Sequence, residues 1–77
     1  MLQILIVEDE KPISNLIKNA LSKDGYACSC AYDGLQAAAL IEAGRYDLIL
    51  LDVMLPGMDG FELMEYIRPM EIPVIFI

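Results

Sequence analysis

Three carboxylates stand where acid chemistry could be done. Glu8 and Asp9 directly follow the apolar run Leu2-Gln3-Ile4-Leu5-Ile6-Val7. Asp52 directly follows a second such run, Tyr46-Asp47-Leu48-Ile49-Leu50-Leu51. If both runs are neighbouring strands of one parallel sheet, the three acids meet in one crevice. That crevice lies at the carboxyl ends of the strands, where open α/β sheets bind ligands. Like charges about 4 Å apart repel by roughly 4 kcal/mol per pair at an effective dielectric near 20. Such a cluster either protonates in part or takes a divalent cation. Oxygen ligands alone, in a chain without histidine, select a hard cation, Mg2+ before Zn2+. Any one of these acids taken singly could be a helix cap or a solvated loop residue. The convergence of two strand ends sets Glu8, Asp9 and Asp52 apart. Glu10 reads as a solvated acid, Asp33 as a turn former and Asp59 as a helix cap.

The elements that must position these acids follow from periodicity. Leu2–Val7 is short, apolar and rich in β-branched residues, as in a strand buried on both faces. Pro12 suits a first helical turn, and Ile13, Leu16, Ile17, Ala20 and Leu21 then recur at helical spacing. Ser14, Asn15, Lys18 and Asn19 fall on the other side, and Gly25 closes the helix. Tyr26–Ala31 reads as a second strand, more polar on the face of Ser29. Asp33-Gly34 is a turn signal, and the alanine-rich stretch Leu35–Ala43 is helical up to Gly44. Tyr46–Leu51 is a third strand, and Pro56, Gly57 and Gly60 make Asp52–Gly60 a loop. Asp59 and Glu62 have capping-box spacing for a helix through Arg68 that Pro69 stops. Phe61, Leu63 and Ile67 form its core stripe, and Ile72–Ile77 is a fourth apolar strand.

The order β-α-β-α-β-α-β implies a parallel sheet with helical crossovers. Strands 1 and 3 are the most apolar and should be central, with strand 2 at an edge. Strand 4 has the apolar wording of an interior strand, yet nothing after it covers its outer edge, an aggregation hazard. The expectation is a piece of a larger domain, or else a homodimer or strand-exchanged oligomer through strand 4.

Ile4-Leu5-Ile6-Val7-Glu8-Asp9-Glu10 and the stretch from Tyr46 through Asp52-Val53-Met54-Leu55-Pro56-Gly57-Met58-Asp59-Gly60-Phe61-Glu62-Leu63 resemble the receiver domain of two-component response regulators. The resemblance covers the whole chain and keeps the intervals between the motifs. It implies a three-layer flavodoxin-like fold, cut after the fourth strand, with residues 1–77 the N-terminal part of one receiver and no output domain. It implies Asp52 as the phospho-acceptor, Asp9 as a direct Mg2+ ligand and Glu8 as a ligand through water. The backbone carbonyl of Met54 would be a further ligand, and Pro56 and Gly60 would shape the loop. The implied donor is a phosphohistidine on a sensor histidine kinase, and the implied location is cytoplasmic. The wording Leu55-Pro56-Gly57-Met58-Asp59-Gly60 is similar to receivers that drive winged-helix transcription factors. The chain ends before the hydroxyl residue after strand 4 and the lysine after strand 5 that complete receivers carry. Lys11, Lys18 and Lys23 all lie near or on the first helix and do not replace that lysine on sequence grounds.

Other classes find less support. A phosphatase built on a strand-end aspartate wants a second acid two residues on, and that position is Met54. A receiver-like module that never carries phosphate would not need Glu8, Asp9 and Asp52 together. No glycine-rich phosphate loop with its lysine is present. The chain is therefore expected to accept a phosphoryl group rather than to turn over as an enzyme.

Composition narrows the partners. Twelve acidic against five basic residues give a net charge of −7, which disfavours direct contact with nucleic acid or an anionic membrane. With 57% hydrophobic residues in 77, the chain is rich in core for one small domain. No apolar run approaches the roughly 20 residues that cross a bilayer, and no basic segment precedes Met1–Val7 as a signal peptide requires. Cys28 and Cys30 share one face of a strand and read as plain thiols, as in a cytosolic protein. Met54, Met58, Met64 and Met70 read as core and loop packing, and Tyr46 and Tyr66 as half-buried packing residues.

Overall fold

Strand β1 (Gln3–Val7) is flanked on both sides in the computed structural model, which describes residues 1–52 and 60–77. It pairs in parallel with β2 (Ala27–Ala31), Val7 opposite Ala31, and with β3 (Leu48–Leu51), Val7 opposite Leu51. Strand β4 (Val74–Phe76) joins β3 on its far side, so the sheet order is β2-β1-β3-β4. The helices between them are α1 (Lys11–Lys23), α2 (Gly34–Ala43) and α3 (Gly60–Ile67). A short 3-10 turn at Arg68–Met70, with Pro69 inside it, ends α3. This is the flavodoxin-like arrangement, helices alternating with parallel strands, through its fourth strand.

The alternation of side chains sorts the sheet into two faces. Leu5, Val7, Ala31, Ile49 and Leu51 point to one face, where Ala37 and Ile41 of α2 and Leu63 and Ile67 of α3 close over them. Ile4 and Ile6 point to the other face and are buried, but α1 is the one helix that serves it. Coverage there fades along the sheet. Leu48 and Leu50 of β3 are half-buried, and Ile75 of β4 is 52% exposed.

Helix α1 corrects the stripe expected from its sequence. Ser14 is fully buried, and Ile17 and Leu21 follow it half-buried at helical spacing. Ile13 is 42% exposed, Leu16 71% exposed, and Ala20 is also exposed. The helix is turned so that the row Ser14–Ile17–Leu21 meets the sheet, and the more apolar flank faces out. Ser14 Oγ has no hydrogen-bond partner among the described residues.

Element ends carry recognisable devices. Gly25 takes φ +90 after the C-cap Asp24, a left-handed conformation that glycine adopts without cost. Asp33 is more than a turn former. Its carboxylate accepts from the Gln36 backbone N–H at 2.7 Å, and Gln36 Oε1 accepts from the Tyr32 N–H at 2.9 Å. The pair caps α2 from both sides, a near relative of the capping box. Tyr46 and Tyr66 are half-buried, and the Tyr66 hydroxyl donates to the Glu42 carboxylate. That bond joins α3 to α2 and raises the phenol above its ordinary range. Leu63 and Ile67 hold the core positions expected of them, whereas Met70 is exposed rather than core filler. Cys28 and Cys30 are free thiols on half-buried positions of the edge strand. Strand β4, apolar as expected, stands beside β3 at the end of the described sheet opposite β2. Val53–Asp59, with Met54, Pro56, Gly57, Met58 and the Asp59 cap, lie outside the described residues, and so does the side chain of Phe61.

Candidate functional site

The carboxyl end of the sheet is assembled by backbone hydrogen bonds that run past the last strand residues. Asp52 N–H donates to the Val7 carbonyl at 2.9 Å, and Glu8 N–H donates to the Ala31 carbonyl at 3.1 Å. Each acid therefore leaves the sheet at a fixed position. Because β1 and β3 are neighbours with Val7 opposite Leu51, the residues one step on, Glu8 and Asp52, are brought side by side.

The convergence expected from the sequence is present. One carboxylate oxygen from each of Glu8, Asp9 and Asp52 lies within 4.8 Å of the other two. Their exposure is graded: Glu8 is 7% exposed, Asp52 half-buried and Asp9 exposed. Burial pushes the Glu8 carboxyl above its ordinary 4.5, and the Asp52 charge and hydrogen bonds with Asp9 and Asp52 push the same way. The Glu10 N–H, which donates to Glu8 Oε1 at 3.3 Å, partly opposes them.

A divalent cation fits this donor set. The three ligands are oxygens of hard carboxylates, close enough to share one ion, and the most buried of them gains most from a positive charge. Glu10, expected as a solvated acid, is exposed. Gly60 opens α3.

Sequence reasoning missed one contact between the residues that follow β1 and β2. Lys11, the first residue of α1, holds its ammonium over the Tyr32 ring, 5.1 Å from the centroid. A lysine two residues after Asp9 carries no periodicity that would pair it with a tyrosine after another strand.

Residues 4–77 match the response regulator receiver domain family. Among solved structures, the chain is 33% identical to the receiver domain of the Francisella response regulator 1452, covering 99% of this chain and 64% of that one, with a TM-score of 0.93. It is 36% identical to the response regulator TrrA of Thermotoga maritima, crystallised with Mg2+ and BeF, over 99% and 66% of the two chains, TM-score 0.88. The non-phosphorylated HemR receiver domain of Leptospira biflexa is 32% identical over 99% and 63%, TM-score 0.92. The chain thus spans about two thirds of the length of these relatives. No helix among the described residues is long and apolar enough to cross a membrane.

Proposed function

The chain belongs to the response regulator receiver domain family, and from that premise we propose that it accepts a phosphoryl group on Asp52 from a sensor histidine kinase. The observation that carries this reading is the meeting of Glu8, Asp9 and Asp52 at the ends of two adjacent strands. Asp52 is the half-buried member, its own N–H bonded to the Val7 carbonyl. In the transfer, an Asp52 carboxylate oxygen forms the new bond to phosphorus. The P–N bond of the phosphohistidine breaks, and its electron pair leaves on the imidazole. The product is an acyl phosphate, made once per chain rather than in turnover.

Mg2+ held by Glu8, Asp9 and Asp52, with the Met54 carbonyl as a further ligand, would neutralise the charge between two anionic reactants. Buried Glu8 would hold that ion through water, and exposed Asp9 would bind it directly. Pro56 and Gly60 would shape the segment that follows the acceptor.

The same reading makes this a cytoplasmic receiver whose phosphorylation controls a transcriptional output domain, supported by the wording of Leu55–Gly60.

Intact mass before and after incubation with a small phosphodonor and Mg2+ tests the central claim. One added phosphoryl group, absent without Mg2+ and absent in Asp52→Asn, is the expected result. No addition to the wild-type chain, or addition that survives in Asp52→Asn, would overturn the assignment.

A further inference from the structure

The residues Tyr26-Ala27-Cys28-Ser29-Cys30-Ala31-Tyr32 read the same in both directions. The centre of this palindrome is Ser29, and its inner residues, Ala27–Ala31, are the whole of β2. Turned about a twofold axis through Ser29, such a strand meets its own copy with like residues at every step. That self-complementarity is what a twofold interface between identical chains demands.

Strand β2 also has an edge to offer. It pairs with β1 alone, at one end of the sheet. In the flavodoxin-like order 2-1-3-4-5 the further strand adds beyond β4, so β2 is an edge of the complete fold as well. The Ala27 N–H donates to the Leu2 carbonyl, and the Ala31 carbonyl accepts from the Glu8 N–H. Bonds in a parallel pair are evenly spaced, at every second residue, so Ala27, Ser29 and Ala31 turn their backbone groups toward β1. Cys28 and Cys30, between them, turn theirs outward, and these groups have no hydrogen-bond partner among the described residues. Beyond them the edge is occupied. The Tyr26 N–H donates to the Leu21 carbonyl, and the Tyr32 N–H donates to Gln36 Oε1. The open stretch is therefore two donors and two acceptors, placed symmetrically about Ser29. A lysine, a proline or a bulge would blunt such an edge, and β2 carries none of them.

We propose that β2 pairs antiparallel with β2 of a second copy of this chain, about a twofold axis through Ser29. Cys28 then stands opposite Cys30 of the partner subunit, and the two exchange both backbone bonds. The same pair recurs on the other side of the axis. Ala27 stands opposite Ala31 of the partner subunit, and Ser29 meets its own copy on the axis. Short side chains at all these positions let the two edges approach. The pairing fills both open edges at once, so it closes at two copies. The strands run opposite ways, so the two clusters of Glu8, Asp9 and Asp52 lie at opposite ends of the joined sheet. So small a contact makes a weak dimer, formed at high concentration. It does not depend on Asp52 accepting a phosphoryl group.

The register can be read through its thiols. Residues that exchange backbone bonds in an antiparallel pair stand about 5.5 Å apart at Cα, within disulfide reach. Cys28 and its own copy lie on the diagonal, about 7–8 Å apart and beyond that reach, and so do Cys30 and its copy. Diamide is the oxidant: two S–H bonds break, one S–S bond forms, and the N=N bond of diamide takes up both hydrogens. Brief oxidation of the wild-type protein should give a dimer with two disulfides, read by intact mass without reductant. Cys28→Ser alone and Cys30→Ser alone should remain largely single chains. Mixed equally, they should crosslink to about half the wild-type yield, since random pairing joins unlike chains that often. In reducing buffer, light scattering should show a monomer–dimer equilibrium. Ser29→Lys sets like charges face to face and should weaken it roughly fivefold. Ser29→Glu should do the same, and an equal mixture of the two should restore it.

Crosslinking of either single-cysteine variant as efficient as that of the wild type overturns the register. A dimer that Ser29→Lys leaves unchanged overturns the edge contact. A protein that is monomeric at every concentration and gives no crosslinked dimer, alone or in the mixture, overturns the pairing. Serine in place of cysteine keeps side-chain size and backbone, so the thiol arm decides even where a charge at Ser29 upsets folding.

Discussion

The two faces of the sheet are built from residues of the same kind and end in different states. On the α2/α3 face, Leu5, Val7, Ile49 and Leu51 are fully buried and every helix position above them is apolar. On the α1 face, Ile4 and Ile6 are covered, but Leu50 is half-buried and Ile75 half-exposed. The two buried polar side chains among the described residues, Ser14 and Glu8, both lie outside the closed α2/α3 cluster. One face is therefore specialised for stability. The other holds exposed apolar surface and the two buried polar side chains together. Stability and chemistry are separated by which way a strand residue points.

Truncations across the sheet test that contrast most strongly. Ile49→Ala opens a cavity under two helices and should cost about 3–4 kcal/mol, a large share of the stability of so small a domain. Urea unfolding followed by circular dichroism would read it. A cost under about 1 kcal/mol would mean the closed face is less tightly packed than its burial implies.

Ser14→Ala should act in the opposite direction. It removes a buried hydroxyl without a partner and improves helix propensity, so stabilisation of roughly 1–2 kcal/mol is expected. The same denaturation curve checks it. Destabilisation would show that the hydroxyl has a bonding role.

Glu8→Gln should stabilise the metal-free chain by about 1 kcal/mol near neutral pH. The sign follows from proton binding. Glu8 is raised in the fold, chiefly by burial, so the native state holds its proton more tightly than the unfolded chain. Stability of the wild type is therefore present below the ordinary carboxylate value and lost as pH rises through the raised one. The advantage of Glu8→Gln should grow over that interval and then level off. Thermal melts across pH measure it, and added Mg2+ should reverse the order of the two proteins. A pH-independent difference would contradict the shift.

Leu16→Gln supplies the smallest effect, within about 0.5 kcal/mol, because the side chain already faces solvent. A cost above 1 kcal/mol would mean that this flank of α1 is covered in solution, and the open face would have to be redrawn.

How far such features could be read in advance differs by residue. The runs ending in Val7 and Leu51 were legible as central strands because both of their faces are apolar, which a parallel sheet with helices on both sides requires. From their adjacency the meeting of Glu8, Asp9 and Asp52 followed directly. The rotation of α1 was not legible. Ile13, Leu16 and Ala20 make as good a stripe as Ser14, Ile17 and Leu21, and a periodicity cannot say which row meets the sheet. Asp33 was readable as a turn former but not as a cap, since its partner Gln36 gains meaning only once α2 begins at Gly34. Lys11 and Tyr32 belong to different elements, and their contact exists only through the pairing of β1 with β2.

The central position of β1 also orders events in time. Gln3 finds its partner in Ala27, and Ile4 finds its second one in Leu48. Both pairings close long loops before any ladder forms, the slow step of parallel sheets. A chain emerging from a ribosome makes Ile4–Val7 before either of its partner strands and cannot enclose it until Leu51 has followed it out. Once formed, the amides of β1 should be the slowest in the chain to exchange with solvent, bonded on both sides and opened only by global unfolding. The strand that is longest exposed during synthesis becomes the one most deeply protected afterwards.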